Sequence, residues 1–167
     1  QGSAGLWFNY LLPRLGAKRV IAMDQDVGRL QRSKAFGATH TIDNRAQDPQ
    51  AAVRSYLEGQ LADLVIEAAG EVDAINLAID LVKQYGDILY FGVPRAQILP
   101  FNFDDYFHKC CRATSIVGAT AEHNQQSTRM ALDLIAAGQT PAESLITHHV
   151  TFSDVMEAYE MHRTRAD

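Results

Sequence analysis

The chain has 167 residues, 47% of them apolar and 21% charged, and a net charge of −5. That length holds one ordinary domain, or one and a small piece, and that apolar share builds a core, which excludes a disordered chain. With 15 basic against 20 acidic side chains and no run of about 18 apolar residues, the composition excludes a nucleic-acid phosphate reader, a basic membrane-surface helix and a transmembrane span.

The opening Gln1-Gly2-Ser3-Ala4-Gly5 is neither an initiator methionine nor a signal peptide. Gly2-Ser3-Ala4-Gly5 has the spacing of the last two glycines of G-x-G-x-x-G, and a helical stripe (Trp7, Leu11, Leu15) follows at once. In such a turn one glycine lets backbone approach a pyrophosphate and the last lets helix pack on strand, while the helix N-terminus offers N–H groups to the phosphate. Pro13 sits late in this helix and should kink its last turn. The next element, 19–24, reads as a strand with a continuous apolar centre, Val20-Ile21-Ala22-Met23, and it closes on Asp24, 19 positions after Gly5. A carboxylate there can accept both hydroxyls of an adenosine ribose and repels a 2′-phosphate, which favours NAD over NADP; the plainer reading is a solvated strand-end Asp.

Further strands are expected at 39–42, 63–68, 87–92 and 114–118, again with unbroken apolar runs such as Leu64-Val65-Ile66 and Ile88-Leu89-Tyr90-Phe91. Between them Ile75, Ala78, Ile79 and Val82 make one helical face, Met130, Ala131, Leu134 and Ile135 another, and Val155, Met156 and Tyr159 a third. Gly16, Gly37, Gly86 and Gly138 each follow a helical run as a stop. The alternation predicts an α/β, Rossmann-like, doubly wound parallel sheet. A boundary at Ala137-Gly138-Gln139-Thr140-Pro141 divides residues 1–138, a nucleotide-binding domain, from a C-terminal segment, 139–167, holding a strand-like run at 146–150 and a helix at about 153–163.

Adjacent Cys110 and Cys111 would make a strained disulfide, and no second pair exists for a zinc cage, so both read as reduced thiols of a cytoplasmic protein. His148 and His149, consecutive in an extended run, should face opposite ways, one buried and one exposed, which argues against a metal site. Asp104, Asp105 and Tyr106 read as the exposed side and start of a helix rather than acid–base machinery. No catalytic or metal-ligating set is assigned.

Taken in order, Gly2-Ser3-Ala4-Gly5-Leu6, then Leu15-Gly16-Ala17-Lys18-Arg19-Val20-Ile21-Ala22-Met23-Asp24, Phe36-Gly37-Ala38-Thr39-His40, Val65-Ile66-Glu67-Ala68-Ala69-Gly70, Gly86-Asp87-Ile88-Leu89-Tyr90-Phe91-Gly92-Val93-Pro94 and Ile116-Val117-Gly118 resemble the medium-chain dehydrogenase/reductase family of the zinc-dependent alcohol dehydrogenase type, across the whole chain. The resemblance implies that Gly2, Ala4, Gly5 and Leu6 line the pyrophosphate turn and that Asp24 holds the adenosine ribose. It places Arg29 near that ribose, although Arg29 also reads as a helix-surface cation. Ala68, Ala69 and Gly70, with Phe91, Gly92 and Val93, fall beside the cofactor and its nicotinamide. It further implies NAD as cofactor, a small alcohol as substrate, and a homo-oligomer formed through the sheet edge at 114–118 (Thr114 to Gly118) with the apolar stretch Ile98-Leu99-Pro100-Phe101-Asn102-Phe103 nearby.

The family's zinc is held by Cys, His and Cys or Glu ahead of the glycine turn, and that segment and the strand before the turn do not occur in this sequence, so the sheet is expected to be truncated and the chain to be an inactive cofactor-binding portion of a larger enzyme. Unpaired groups left at the gap would cost about 1–3 kcal/mol each, against a domain stability of roughly 5–15 kcal/mol. The expectation is therefore that 19–24 pairs directly with 63–68, or that a second copy or another part of the chain supplies a strand. The leading reading is an NAD-dependent alcohol or polyol dehydrogenase. A zinc-free NADPH-dependent quinone or enoyl reductase, a non-catalytic nucleotide-binding or assembly module, and a methyltransferase are the alternatives.

Overall fold

The computed structural model describes residues 1–117 and 122–164, in two compact units, Gln1–Thr120 and Ala121–Asp167. The first unit runs α1 (Ser3–Arg14), β1 (Ile21–Asp24), α2 (Val27–Ala35), β2 (His40–Asp43), α3 (Pro49–Tyr56), β3 (Ala62–Glu67), α4 (Val72–Leu81), β4 (Val82–Tyr90), α5 (Phe103–Lys109) and β5 (Arg112–Ser115). Every strand pair is parallel, as the apolar runs predict. Gly118, the last residue expected in the fifth strand, lies outside the described residues.

Local chemistry places the helices. Asp26 caps α2 by accepting from Arg29 N at 2.9 Å, and Asp48 caps α3 from Ala51 N at 2.6 Å, with Pro49 in the first position where its missing N–H costs nothing. In α4 the expected stripe is the buried one: Ile75, Ala78 and Ile79 face inward. In α1 the expected stripe is not. Leu11 is 43% and Leu15 80% exposed, and the buried face is Gly5, Leu6 and Asn9. On that face Leu6 enters the core, and the side chain of Gln1 folds over Gly5 and accepts from Asn9 Nδ2 at 2.7 Å and Ser33 Oγ at 3.3 Å. Pro13 falls in the last turn of α1, which ends one residue later. Gly86 is no helix stop: α4 ends at Leu81, and Gly86 lies in an irregular stretch of β4 where the register against β3 jumps.

The expected pairing of 19–24 with 63–68 does not form. β1 pairs with β2 in one sheet, and β3, β4 and β5 make another. Side chains join the two: Ile21 and Met23 of β1, Ile42 of β2, Val53 of α3, Val65 of β3 and Leu77 and Leu81 of α4 share one cluster. A second cluster, Ala78, Ile79, Val82, Ile88 and Cys111, seals α4 on the three-stranded sheet. Within β3, Asp63 and Leu64 are exposed.

The second unit contains α6 (Gln126–Ala136), short 3-10 turns, and α7 (Val155–Thr164). The strand expected at 146–150 is an irregular segment, so the alternation argument fails and His148 and His149 are both exposed. α6, assigned from sequence to the first domain, lies in this unit. Among the described residues no helix is long and apolar enough to cross a membrane.

Candidate functional site

Parallel strands bring their carboxyl ends to one side, and the loops leaving them carry most of the predicted site residues. At the end of β1, Asp24 is partly buried. Its Oδ1 accepts from Gln25 N at 2.7 Å and Asp26 N at 2.9 Å, and its Oδ2 accepts from the backbone nitrogen of Gln1. The strand-end carboxylate and the start of the glycine turn therefore meet in one place.

Gly2 is the N-cap of α1, in an extended conformation, and no side chain caps the helix. A side chain on Gly2 would meet nothing within 4 Å, so backbone is open to approach there. The Leu6 N–H donates to Gly2 O at 3.0 Å and its side chain is buried, so Leu6 contributes to the core rather than donating at the turn. That leaves the first-turn amides of Ser3, Ala4 and Gly5 as the donor set an anion would use. Gly5 faces the Gln1 side chain, whose Oε1 would lie 3.0 Å from an added Cβ. Arg29 sits in the first turn of α2, half-buried, and its carbonyl accepts from Ser33 Oγ at 2.8 Å.

The loops after β3 and β4 interlock. Gly70 has φ +73°, and a Cβ there would lie 2.1 Å from Val93 O; a Cβ on Gly92 would lie 2.2 Å from Gly70 N. Only glycine permits this approach. Ala68, Ala69 and Val93 are exposed around the contact. Phe91 packs edge-on against Phe8 of α1 with ring centroids 5.1 Å apart, which ties the loop after β4 to the helix behind the glycine turn. Tyr90, just before it, donates to Ile75 O at 3.2 Å, and burial, with Cys111, Glu67 and Tyr106 adding negative potential, pushes its hydroxyl up to about 12.

Glu67, only 4% exposed at the end of β3, was not singled out from sequence. Its Oε1 accepts from Ala69 N at 2.6 Å and Gly70 N at 2.8 Å, its backbone carbonyl from Phe91 N at 2.8 Å and Gly92 N at 3.0 Å, and its Oε2 is buried with no partner. The available signal was a lone acid inside the apolar run Leu64-Val65-Ile66-Glu67-Ala68-Ala69. Among the described residues no group of three or more His, Cys, Asp or Glu is placed to hold a metal, so the donor set for zinc is not met by them.

Residues 5–137 match the family model described as zinc-binding dehydrogenase. Sorbitol dehydrogenase of Halalkalibacterium halodurans is 28% identical over 144 residues, covering 86% of this chain and 41% of that protein. Sorbitol dehydrogenase 1 of Saccharomyces cerevisiae is 29% identical, covering 95% and 45%. The alcohol dehydrogenase TADH from Thermus sp. ATN1 superposes with a TM-score of 0.87 at 25% identity, over 99% of this chain and 46% of that one. The chain thus spans less than half the length of the curated relatives it matches.

Proposed function

The chain belongs to the zinc-binding dehydrogenase family of the medium-chain type, and on that premise we propose that it is the dinucleotide-binding part of an NAD-dependent alcohol or polyol dehydrogenase. The observation that carries this is the meeting of Asp24 with the chain entering the glycine turn. The pyrophosphate rests on the Ser3, Ala4 and Gly5 amides, over the open backbone of Gly2. The adenosine ribose lies at Asp24, with Arg29 one turn into α2. The nicotinamide lies against Ala68, Ala69 and Gly70 on one side and Phe91, Gly92 and Val93 on the other. When bound, the dinucleotide supplies the hydride acceptor for an alcohol. The chain's own residues bind and orient it: helix amides carry the phosphate charge, Asp24 fixes the sugar, and the interlocked loops exclude water from one end.

Two further proposals accompany this reading. Residues 1–138 bind the cofactor and 139–167 lead back toward a catalytic domain. The edge strand β5, with the exposed Ile98 nearby, pairs with a second copy; sedimentation showing a monomer at high concentration would count against that.

Calorimetric titration tests the main reading. NAD is expected to bind at least about tenfold more tightly than NADP, because a carboxylate at the ribose repels a 2′-phosphate. Asp24→Ala is expected to weaken NAD by about tenfold or more, the worth of a charge-assisted hydrogen bond, and to erase the preference. Equal affinities for the two dinucleotides, or an Asp24→Ala protein that binds NAD normally, would refute it.

A further inference from the structure

We propose that Glu67 is a positioning residue that fastens the loops after β3 and β4 into a single preformed wall for the nicotinamide end of the dinucleotide. The inference rests on the cofactor reading above and assigns a role to a residue that touches no ligand in it.

Glu67 bonds to both loops. Its carboxylate holds the first loop through the Ala69 and Gly70 amides, and its backbone carbonyl holds the second through the Phe91 and Gly92 amides. The second oxygen, Oε2, lies buried without a partner, and a Cβ on Gly92 would come within 2.6 Å of it. A buried carboxylate with one idle oxygen is costly, and a strand end that only needed to stop could use a neutral residue. What the acid achieves is alignment of two adjacent N–H groups in a segment where Gly70 is in the left-handed region and Val93 O leaves no slack. Without it, the loop after β3 loses the acceptor for two amides and samples other conformations, and a ligand must then reorder it on binding.

The test compares NAD with ADP-ribose, which shares the pyrophosphate and both riboses' attachment but has no nicotinamide. In Glu67→Ala, NAD affinity is expected to fall at least about tenfold, while ADP-ribose affinity stays within about twofold. Glu67→Gln keeps an acceptor oxygen for the two amides and is expected to bind both ligands within about threefold of the unsubstituted protein. Equal losses of both ligands in Glu67→Ala, or no loss of either, overturn the proposal. An unsubstituted protein that binds neither ligand overturns the cofactor reading itself. Hydrogen exchange on the unsubstituted protein decides the matter should Glu67→Ala not fold: the amides of Ala69, Gly70, Phe91 and Gly92 are expected to exchange together and slowly without ligand, and rates differing by more than about tenfold between the two loops overturn the fastening.

Discussion

Gly70→Ala is the sharpest perturbation of the interlocked loops. Two independent costs apply. Alanine at φ +73° pays the left-handed penalty of about 1–2 kcal/mol. Its Cβ would also lie 2.1 Å from Val93 O and 2.7 Å from Val93 C, and these are backbone atoms that cannot swing aside. Overpacking of that kind adds about 1–3 kcal/mol, so the variant is expected to lose about 2–5 kcal/mol, a large share of a typical domain's stability. Urea unfolding followed by the fluorescence of Trp7, the single tryptophan, reads the first unit directly: its ring packs edge-on against Tyr10 at 5.6 Å and Phe36 at 6.3 Å. Gly2→Ala is the matched control. Gly2 has φ −68° and open space around an added Cβ, so stability is expected to stay within about 0.5 kcal/mol, while NAD binding weakens because the methyl occupies the phosphate's approach. A Gly70→Ala midpoint indistinguishable from that of the unsubstituted protein would refute the close-approach argument.

Two other expectations follow from side chains at the same layer. Tyr90, raised from its ordinary 10.0 to about 12, contributes stability that is complete below pH 10 and is lost as pH rises through 12; alkaline unfolding should steepen in that window, and Tyr90→Phe should flatten it, whereas an unchanged profile would show that the hydroxyl is not shielded. Lys109 Nζ donates to Ile79 O at 2.6 Å and to Asp80 O and Val82 O at 3.0 Å, capping the carbonyls at the end of α4; Lys109→Met is expected to cost about 1–2 kcal/mol, read as a lowered thermal midpoint, and an unshifted midpoint would show that solvent serves those carbonyls as well.

Much of the architecture was legible because burial writes itself into long apolar runs. Val20 to Met23, Leu64 to Ile66 and Ile88 to Phe91 all fall in or beside parallel strands, within two or three residues of the expected bounds for β1, β2 and β3. β4 begins five residues early because α4 passes into it without a glycine turn. Pairing was not legible, since an apolar run states that a strand is covered and not which strand lies beside it; β1 and β3 share a side-chain cluster without sharing a hydrogen bond ladder. The place of Asp24 at the end of β1 was readable from the apolar run that it closes. Glu67 was not, because its role depends on which amides turn back toward it, and only the folded loops decide that. The segment at 146–150 failed for a related reason: five residues of mixed polarity carry no pattern that distinguishes an extended strand from an irregular one.

The two carboxylates at the strand ends divide the work by how many of their acceptor sites are already taken. A carboxylate has roughly four lone-pair sites. At Asp24 three are in use, by the nitrogens of Gln25, Asp26 and Gln1, and the residue remains only partly buried, so under the cofactor reading proposed above a ribose takes the remaining site or displaces Gln1 from Oδ2. At Glu67 two are in use on one oxygen and the other oxygen is closed off, so exchange with a ligand would require opening the loops. Partial access to solvent makes the first a place where a polar ligand can trade hydrogen bonds, and burial makes the second a fixed point, since a group that cannot reach water holds its remaining partners more tightly. The recognition proposed for Asp24 and the rigidity proposed for Glu67 therefore sit at the ends of β1 and β3, strands of two separate sheets, each assigned by solvent access rather than by residue type.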